Sequence, residues 1–223
     1  QLAATLCRLA ERDPGIVLLT ADLGFMVLEE FAAAHPGRFY NTGVAEADMV
    51  GIATGLASCG YIPYLYSIAT FASMRAYEQI RNGPVLHRLP VRIAGIGGGF
   101  EYGHAGPTHA ALEDLGILRI QPGLSVIAPA DDAQAAAALR ATVDLPGPVY
   151  YRLSKETCAP LPGLEGRFRL GRLELLGEGD DAAIIAPGST IAAAWWIGSL
   201  VVSVGVALHL VFALARGGSL GCF

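Results

Sequence analysis

Three groups of residues have the types and spacing for chemistry. Glu46 and Asp48 stand at the front of "NTGVAEADMVGIATGLASCG", ahead of a run from Met49 to Cys59 that carries no charge. The glycine-rich stretch "GIGGGFEYGHAGPTH" presents His104 and His109 on a backbone able to pass close to a ligand, and imidazoles titrate near neutral pH. "ATFASMRAYEQIRN" sets Phe71, Met74 and Tyr77 at i, i+3 and i+6, close to one helical side. Such a stripe is either core or a stacking platform for a flat heteroaromatic ring, and spacing alone does not decide. Glu46 also has a structural explanation, because the helix dipole favours an anion in the first turn. It does not complete a capping box, since Thr42 precedes it by four residues rather than three.

Other chemistries find no footing. In the glycine-rich stretch Gly95 and Gly97 are followed by Phe100, which is the wrong register for G-x-G-x-x-G, and no G-K-[ST] follows. Ser-His-Asp, HExxH and EF-hand signatures are absent, and no metal-ligand set is expected on this chain.

Short β-rich runs alternate with helical patterns through the first 155 residues. "GIVLLT", "RFYN", "YIPYLYS", "VRIAGI", "LSVIAP" and "GPVYYRL" read as strands, with Pro63 hinting at an edge or bulge. "QLAATLCRLAERD", with a stripe of Leu2, Leu6, Leu9 and Ala10, reads as a helix. So do "VLEEFAAAHPG", the run after Glu46, "FASMRAYEQIRNGPVLH", "THAALEDLGILRI" and "DDAQAAAALRATV", the last capped by Asp131. The alternation predicts an α/β fold: a doubly wound, mostly parallel six-stranded sheet covered on both faces. Ligands of such sheets bind beyond the carboxyl ends of the strands, so the loops Ala21–Met26, Asn41–Glu46, Ile68–Phe71 and Gly97–His109 should form the site. We expect this domain over residues 1–157, a Pro- and Gly-punctuated linker over 158–172, and a truncated start of a second α/β domain over 173–223.

Composition narrows the class. A hydrophobic fraction of 53% against 16% charged predicts a large core and further apolar surface hidden in an interface. A net charge of −5 with no Lys/Arg cluster argues against a nucleic-acid partner. Cys7, Cys59, Cys158 and Cys222 are far apart and are read as reduced packing residues of a cytoplasmic protein. The N-terminus, with Arg8, Glu11 and Arg12, does not read as a signal peptide. Ala182 to Ala215 lacks Asp, Glu, Lys and Arg and is long enough to span a bilayer, but Gly198, Ser199, Ser203, Gly205 and His209 interrupt it. A buried or irregular terminal segment is expected in preference to a membrane span.

The blocks "LTADLG", "NTGVAEADMVGIATGLA", "TFASMRAYEQIRN", "GHAGPTHAALEDLGILRIQPGLSVIAPAD" and "GPVYYRLSK" together resemble the pyrimidine-binding domain of transketolase-like thiamine diphosphate enzymes. The resemblance implies a site shared between chains or domains. There Glu46 hydrogen-bonds the pyrimidine nitrogen N1′, favouring the imino tautomer that the cofactor's carbanion chemistry requires. It further implies an aromatic wall of Phe71 and Tyr77, with Met74 as a soft substitute for a second aromatic. Asp22 and Leu23 would lie near the cofactor and the dimer contact, His109 would face the donor substrate, and Arg152 would bind a substrate phosphate. The family's GDG…N motif, which holds Mg²⁺ and the diphosphate, is missing here, since "GEGDD" is not one. The resemblance therefore implies a pyrophosphate-binding partner subunit, with a dimer of heterodimers as the expected assembly.

Two departures bear on the substrate. Ala105 stands where transketolases have the Asp of "DGPTH", and Gly97 falls where a second substrate-contacting histidine is expected, leaving His104 to take over part of the polar role. The resemblance implies a two-subunit enzyme transferring a two-carbon ketol or related acyl unit. The alternatives are the beta chain of a 2-oxo-acid dehydrogenase or decarboxylase first component, and a non-catalytic regulatory subunit.

Overall fold

The structure, a computed structural model, describes residues 2–177, 182–194, 208–211 and 215–216. Six parallel strands form its centre: β1 (Ile16–Thr20), β2 (Phe39–Asn41), β3 (Ile62–Ile68), β4 (Arg92–Ile96), β5 (Ser125–Ile127) and β6 (Val149–Leu153). Their order is β2-β1-β3-β4-β6-β5, as the expected doubly wound sheet requires. The two residues Ala215–Arg216 add an antiparallel pairing at the outer edge of β5.

The side-chain period of two divides the core into two layers. Val17, Leu19, Leu65, Ile93, Val126 and Tyr150 point to one face. They pack under α3 (Glu46–Ser58), the helical segment 71–85, which contains α4 (Tyr77–Ile80), and α5 (Asp114–Arg119). Ile16, Leu18, Tyr64, Ala94, Ile127 and Tyr151 point to the other. There they meet α1 (Leu2–Arg12), α2 (Glu29–Ala34) and α6 (Asp132–Ala141), with Leu6, Cys7, Ala10, Phe31 and Leu139 as the contacts. Asp131 caps α6 as expected, its Oδ1 accepting from the Gln134 N–H at 2.7 Å.

Several sequence expectations are corrected. Pro63 lies in a central strand, not at an edge. Ile62 donates to Gly15 on the β1 side, so the nitrogen of Pro63 faces β4, whose pairing begins only at Tyr64. "THAALEDLGILRI" turns helical only at Asp114, because Ala111 pairs its N–H and C=O with Gly99 in an antiparallel bridge. The apolar run of α3 is buried on one side only. Met49, Val50, Ala53 and Ala57 face the sheet, while Gly51, Ile52 and Gly55 are exposed, and among the described residues nothing packs against either glycine where a side chain would stand. Cys7 is a packing residue, whereas Cys59 is exposed at the end of α3; both are free thiols, as is Cys158.

Residues 158–172, expected as a linker, strap across α6. Leu161 N–H donates to Asp131 Oδ2 at 2.9 Å, Gln134 donates to the Arg167 carbonyl, and Leu164 is buried. Beyond them β7 (Ala182–Ile185) leads through a turn into a helix over 190–194, and β7 pairs in parallel with β8 (Leu208–Val211). Much of the uncharged run, residues 195–207 and 212–214, lies outside the described residues, as does Cys222. Among those described, no helix is long and apolar enough to cross a membrane.

Candidate active site

The chain leaves β1 toward β2 and leaves β3 toward β4, on opposite sides, so a crevice opens beyond the carboxyl ends of β1 and β3. Glu46, at the start of α3, reaches this crevice from beneath and is 2% exposed. A buried carboxylate requires partners. Ser67, at the end of β3, donates its hydroxyl to Oε1 at 3.3 Å. Arg75 Nη1 lies 3.2 Å from Oε1 and 3.1 Å from Oε2.

Arg75 closes a π-helical turn, Phe71–Arg75, the wide geometry that often marks functional sites. Its guanidinium carbon sits 3.7 Å from the centroid of the Phe71 ring. Phe71 in turn meets His109 edge-on at 5.0 Å, and His109 Nδ1 is 3.0 Å from Thr108 Oγ1. The Tyr102 ring lies 6.4 Å from His109, with Lys155 Nζ 4.9 Å from its centroid. A continuous row therefore runs from Glu46 through Arg75, Phe71, His109 and Tyr102 to Lys155.

The remaining expected residues divide. His104 is exposed on Tyr102, 6.3 Å between ring centroids, and does not contact His109. Met74 is exposed, while the Tyr77 hydroxyl turns away to the Ile117 carbonyl at 3.2 Å and receives Gln121 Nε2. The π turn thus spreads the three residues that regular helical spacing would align. Asp22 adopts a left-handed backbone, φ 58°, and exchanges two hydrogen bonds with Asn41, at 2.9 and 3.0 Å. Leu23 is half-buried, its N–H and C=O both held by the Thr20 hydroxyl.

Arg152 is committed inward. Its Nε lies 3.2 Å from Asp114 Oδ2, and Nη2 donates to the Ala111 carbonyl at 2.6 Å. Gly98 allows this approach, since a Cβ there would overlap Arg152 Nε. Asp114 is wholly buried and accepts from the Tyr150 hydroxyl at 2.8 Å. Burial pushes its carboxyl above the ordinary range, although Arg152 and Tyr150 pull the other way. Gly97 is filled similarly: a Cβ would overlap the Tyr102 ring, so that ring occupies the space of a side chain at 97.

Sequence reasoning passed over Arg75, Ser67, Tyr102, Asp114, Lys155 and Glu101. Glu101 Oε2 accepts from Ser154 Oγ and the Lys155 N–H, and Oε1 from Ser189 Oγ at 2.8 Å. It joins the glycine-rich loop both to the end of β6 and to the turn after β7. Arg75 and Asp114 lie inside motif blocks that the sequence does mark, but their partners are 29 and 36 residues away. Among the described residues, no group of three or more His, Cys, Asp or Glu side chains could hold a metal ion.

Residues 1–160 match the family described as transketolase, pyrimidine binding domain. The chain belongs to that family. Over 186 residues the chain is 38% identical to the 6-deoxy-6-sulfo-D-fructose transketolase subunit SqwH of Clostridium sp. (strain MSTE9), covering 83% of this chain and 58% of that protein. Over 207 residues it is 35% identical to an apulose-4-phosphate transketolase subunit of Phocaeicola vulgatus, covering 91% of this chain and 65% of that protein. The chain thus spans roughly three fifths to two thirds of these relatives. A solved structure described as a split gene transketolase, inactive beta4 tetramer, matches with a TM-score of 0.85 at 36% identity, covering 96% of this chain and 69% of that one. The transketolase from Leishmania mexicana matches with the same TM-score at 23% identity over 96% and 34% of the two chains, a likeness of fold. Within the pyrimidine-binding domain, Glu46, Phe71 and His109 lie along one row of contacts through Arg75.

Proposed function

We propose that this chain is the pyrimidine-binding part of a thiamine diphosphate-dependent transferase that moves a two-carbon ketol or related acyl unit. The observation that carries this reading is Glu46, a nearly inaccessible carboxylate facing a flat cationic N–H donor that is stacked on Phe71. A crevice that accepts a guanidinium in this way has the acceptor and the aromatic face for an aminopyrimidine. When bound, the cofactor would supply the carbanion chemistry. Glu46 would hold the pyrimidine nitrogen, Phe71 would pack its ring, and His109 would orient or protonate the substrate. Asp22 and Leu23 would frame the inner wall, with Met74 at the rim and Tyr77 bracing the segment behind Phe71. On the substrate side His104 and Lys155 are the accessible polar groups, while Arg152 would act by shaping the loop around Gly98.

The diphosphate and Mg²⁺ would be held by a partner chain with a GDG…N motif, in a dimer of heterodimers in the cytoplasm. The exposed apolar residues Phe25, Met26, Val44, Ile52 and Phe100 support such a partner, because they surround the crevice or cover the outer side of α3. Residues 1–157 would be the pyrimidine-binding domain, 158–172 its connection and 173–223 the start of a second unit. Three of the relatives are described as transketolase subunits or sections, which favours ketol donors over 2-oxo acids.

The test is to purify the chain with a GDG…N partner and assay a panel of ketol donors with thiamine diphosphate and Mg²⁺. Replacing Glu46 with Ala should lower turnover by about 10²-fold or more, the scale of losing a positioned proton-transfer group, while the subunits still assemble. Full activity in that variant would overturn the reading.

A further inference from the structure

We propose that Arg75 is an internal stand-in for the aminopyrimidine, a resting-state plug that the incoming ring must displace. The proposal rests on the reading of Glu46 and Phe71 given above. A flat heterocycle docking there needs two contacts, a carboxylate for its edge and an aromatic face for its plane. Arg75 takes both. Its Nη1 is within 3.2 Å of both Glu46 oxygens, and its guanidinium carbon is 3.7 Å from the Phe71 centroid. Guanidinium is suited to the substitution, being planar, delocalised and edged with N–H donors. Lysine could supply the charge but not the plane.

The physical reason for a plug lies in Glu46. A carboxylate this buried, with only the Ser67 hydroxyl besides Arg75 among the described residues, is costly to leave unpaired before the ligand arrives. The plug is also removable. The Arg75 side chain is 47% exposed, and among the described residues its hydrogen bonds go to Glu46 alone. A side chain exposed to this degree can turn about its own bonds into solvent, so displacement asks no change of the sheet. Arg152 offers the contrast of an arginine held by a carboxylate, a carbonyl and a crowding glycine together.

Competition of this kind weakens apparent affinity by the fraction of open sites, so a site about nine-tenths plugged binds about tenfold more weakly than an open one. The experiment uses the full chain and thiamine itself, which carries the aminopyrimidine but not the diphosphate expected to need a partner. Binding is read by saturation-transfer NMR, with no turnover involved. Arg75→Met should bind thiamine about tenfold more tightly than the unaltered chain, and Arg75→Gln should gain similarly, while Arg75→Lys gains less. Addition of thiamine should also shift the Arg75 Nε–H resonance toward that of a solvated arginine. Unchanged or weaker binding in both neutral variants overturns the plug, as does an unmoved Nε–H resonance at saturation. If Arg75→Met fails to fold by circular dichroism, Arg75→Gln carries the test. Absence of binding in every form also overturns the proposal. Glu46→Gln separates the two readings. Binding that depends on Glu46 but ignores Arg75 sinks only the plug, and binding indifferent to Glu46 sinks the proposed function.

Discussion

Two arginine–carboxylate pairs sit on either side of the glycine-rich loop, and they do opposite things. In both, the carboxylate is inaccessible: Glu46 is 2% exposed and Asp114 is 0%. The difference lies in the arginine. Arg75 is 47% exposed and, among the described residues, hydrogen-bonds Glu46 alone, whereas Arg152 is 15% exposed, bonded also to the Ala111 carbonyl and pressed against Gly98. The Tyr150 hydroxyl, itself buried and held well above its usual range by burial and by Asp114, completes the second cluster. A buried acid becomes a binding group when its counter-ion can leave and a strut when it cannot. The pairing alone does not distinguish them.

Substitutions sharpen this contrast. The largest effect on stability should come from Asp114→Ala, which strands Arg152 and the Tyr150 hydroxyl and should cost about 3 kcal/mol in urea unfolding. Gly98→Ala should follow, at about 1–3 kcal/mol, because its methyl group must displace the Arg152 side chain. Arg75→Met should cost less, about 1–2 kcal/mol: Glu46 loses its counter-ion, but water entering the space left by a half-exposed guanidinium offsets part of that loss. An Arg75→Met loss equal to that of Asp114→Ala would erase the distinction between plug and strut.

The smallest effect concerns pH. Burial raises the folded-state affinity of Asp114 for its proton above that of the unfolded chain, whose carboxyl titrates near 3.8. Between those two values the folded state binds more protons, so stability falls as pH rises through the window. Asp114→Asn removes this contribution. The unaltered protein should therefore lose stability relative to Asp114→Asn as pH rises from about 3.8 through the raised folded value, as read from urea midpoints. A difference independent of pH would show that Asp114 does not titrate as burial dictates.

The features legible in the residues alone are those that local chemistry controls. Short runs such as Ile16–Thr20, and Arg92–Ile96 with its single charge, marked strands that prove buried throughout, and Asp131 marked the start of α6 through a hydrogen bond three residues long. The alternation of such elements was enough for the doubly wound sheet, and the loops after its strands were enough to locate the crevice. Family resemblance singled out Glu46, Phe71 and His109, which lie along one row of contacts that runs through Arg75. The pairings came from tertiary structure. Arg75 meets Glu46 only because a π turn widens the helix after β3, and regular spacing had instead grouped Phe71 with Met74 and Tyr77. Arg152, assigned to a substrate phosphate by resemblance, finds Asp114 because β4 and β6 bring Gly98 and Ala111 beside it. Pro63 is tolerated in a central strand because the neighbouring pairing starts one residue later. In each case the partners are distant in sequence and close in space, so the energy of the contact exists only once the sheet has assembled.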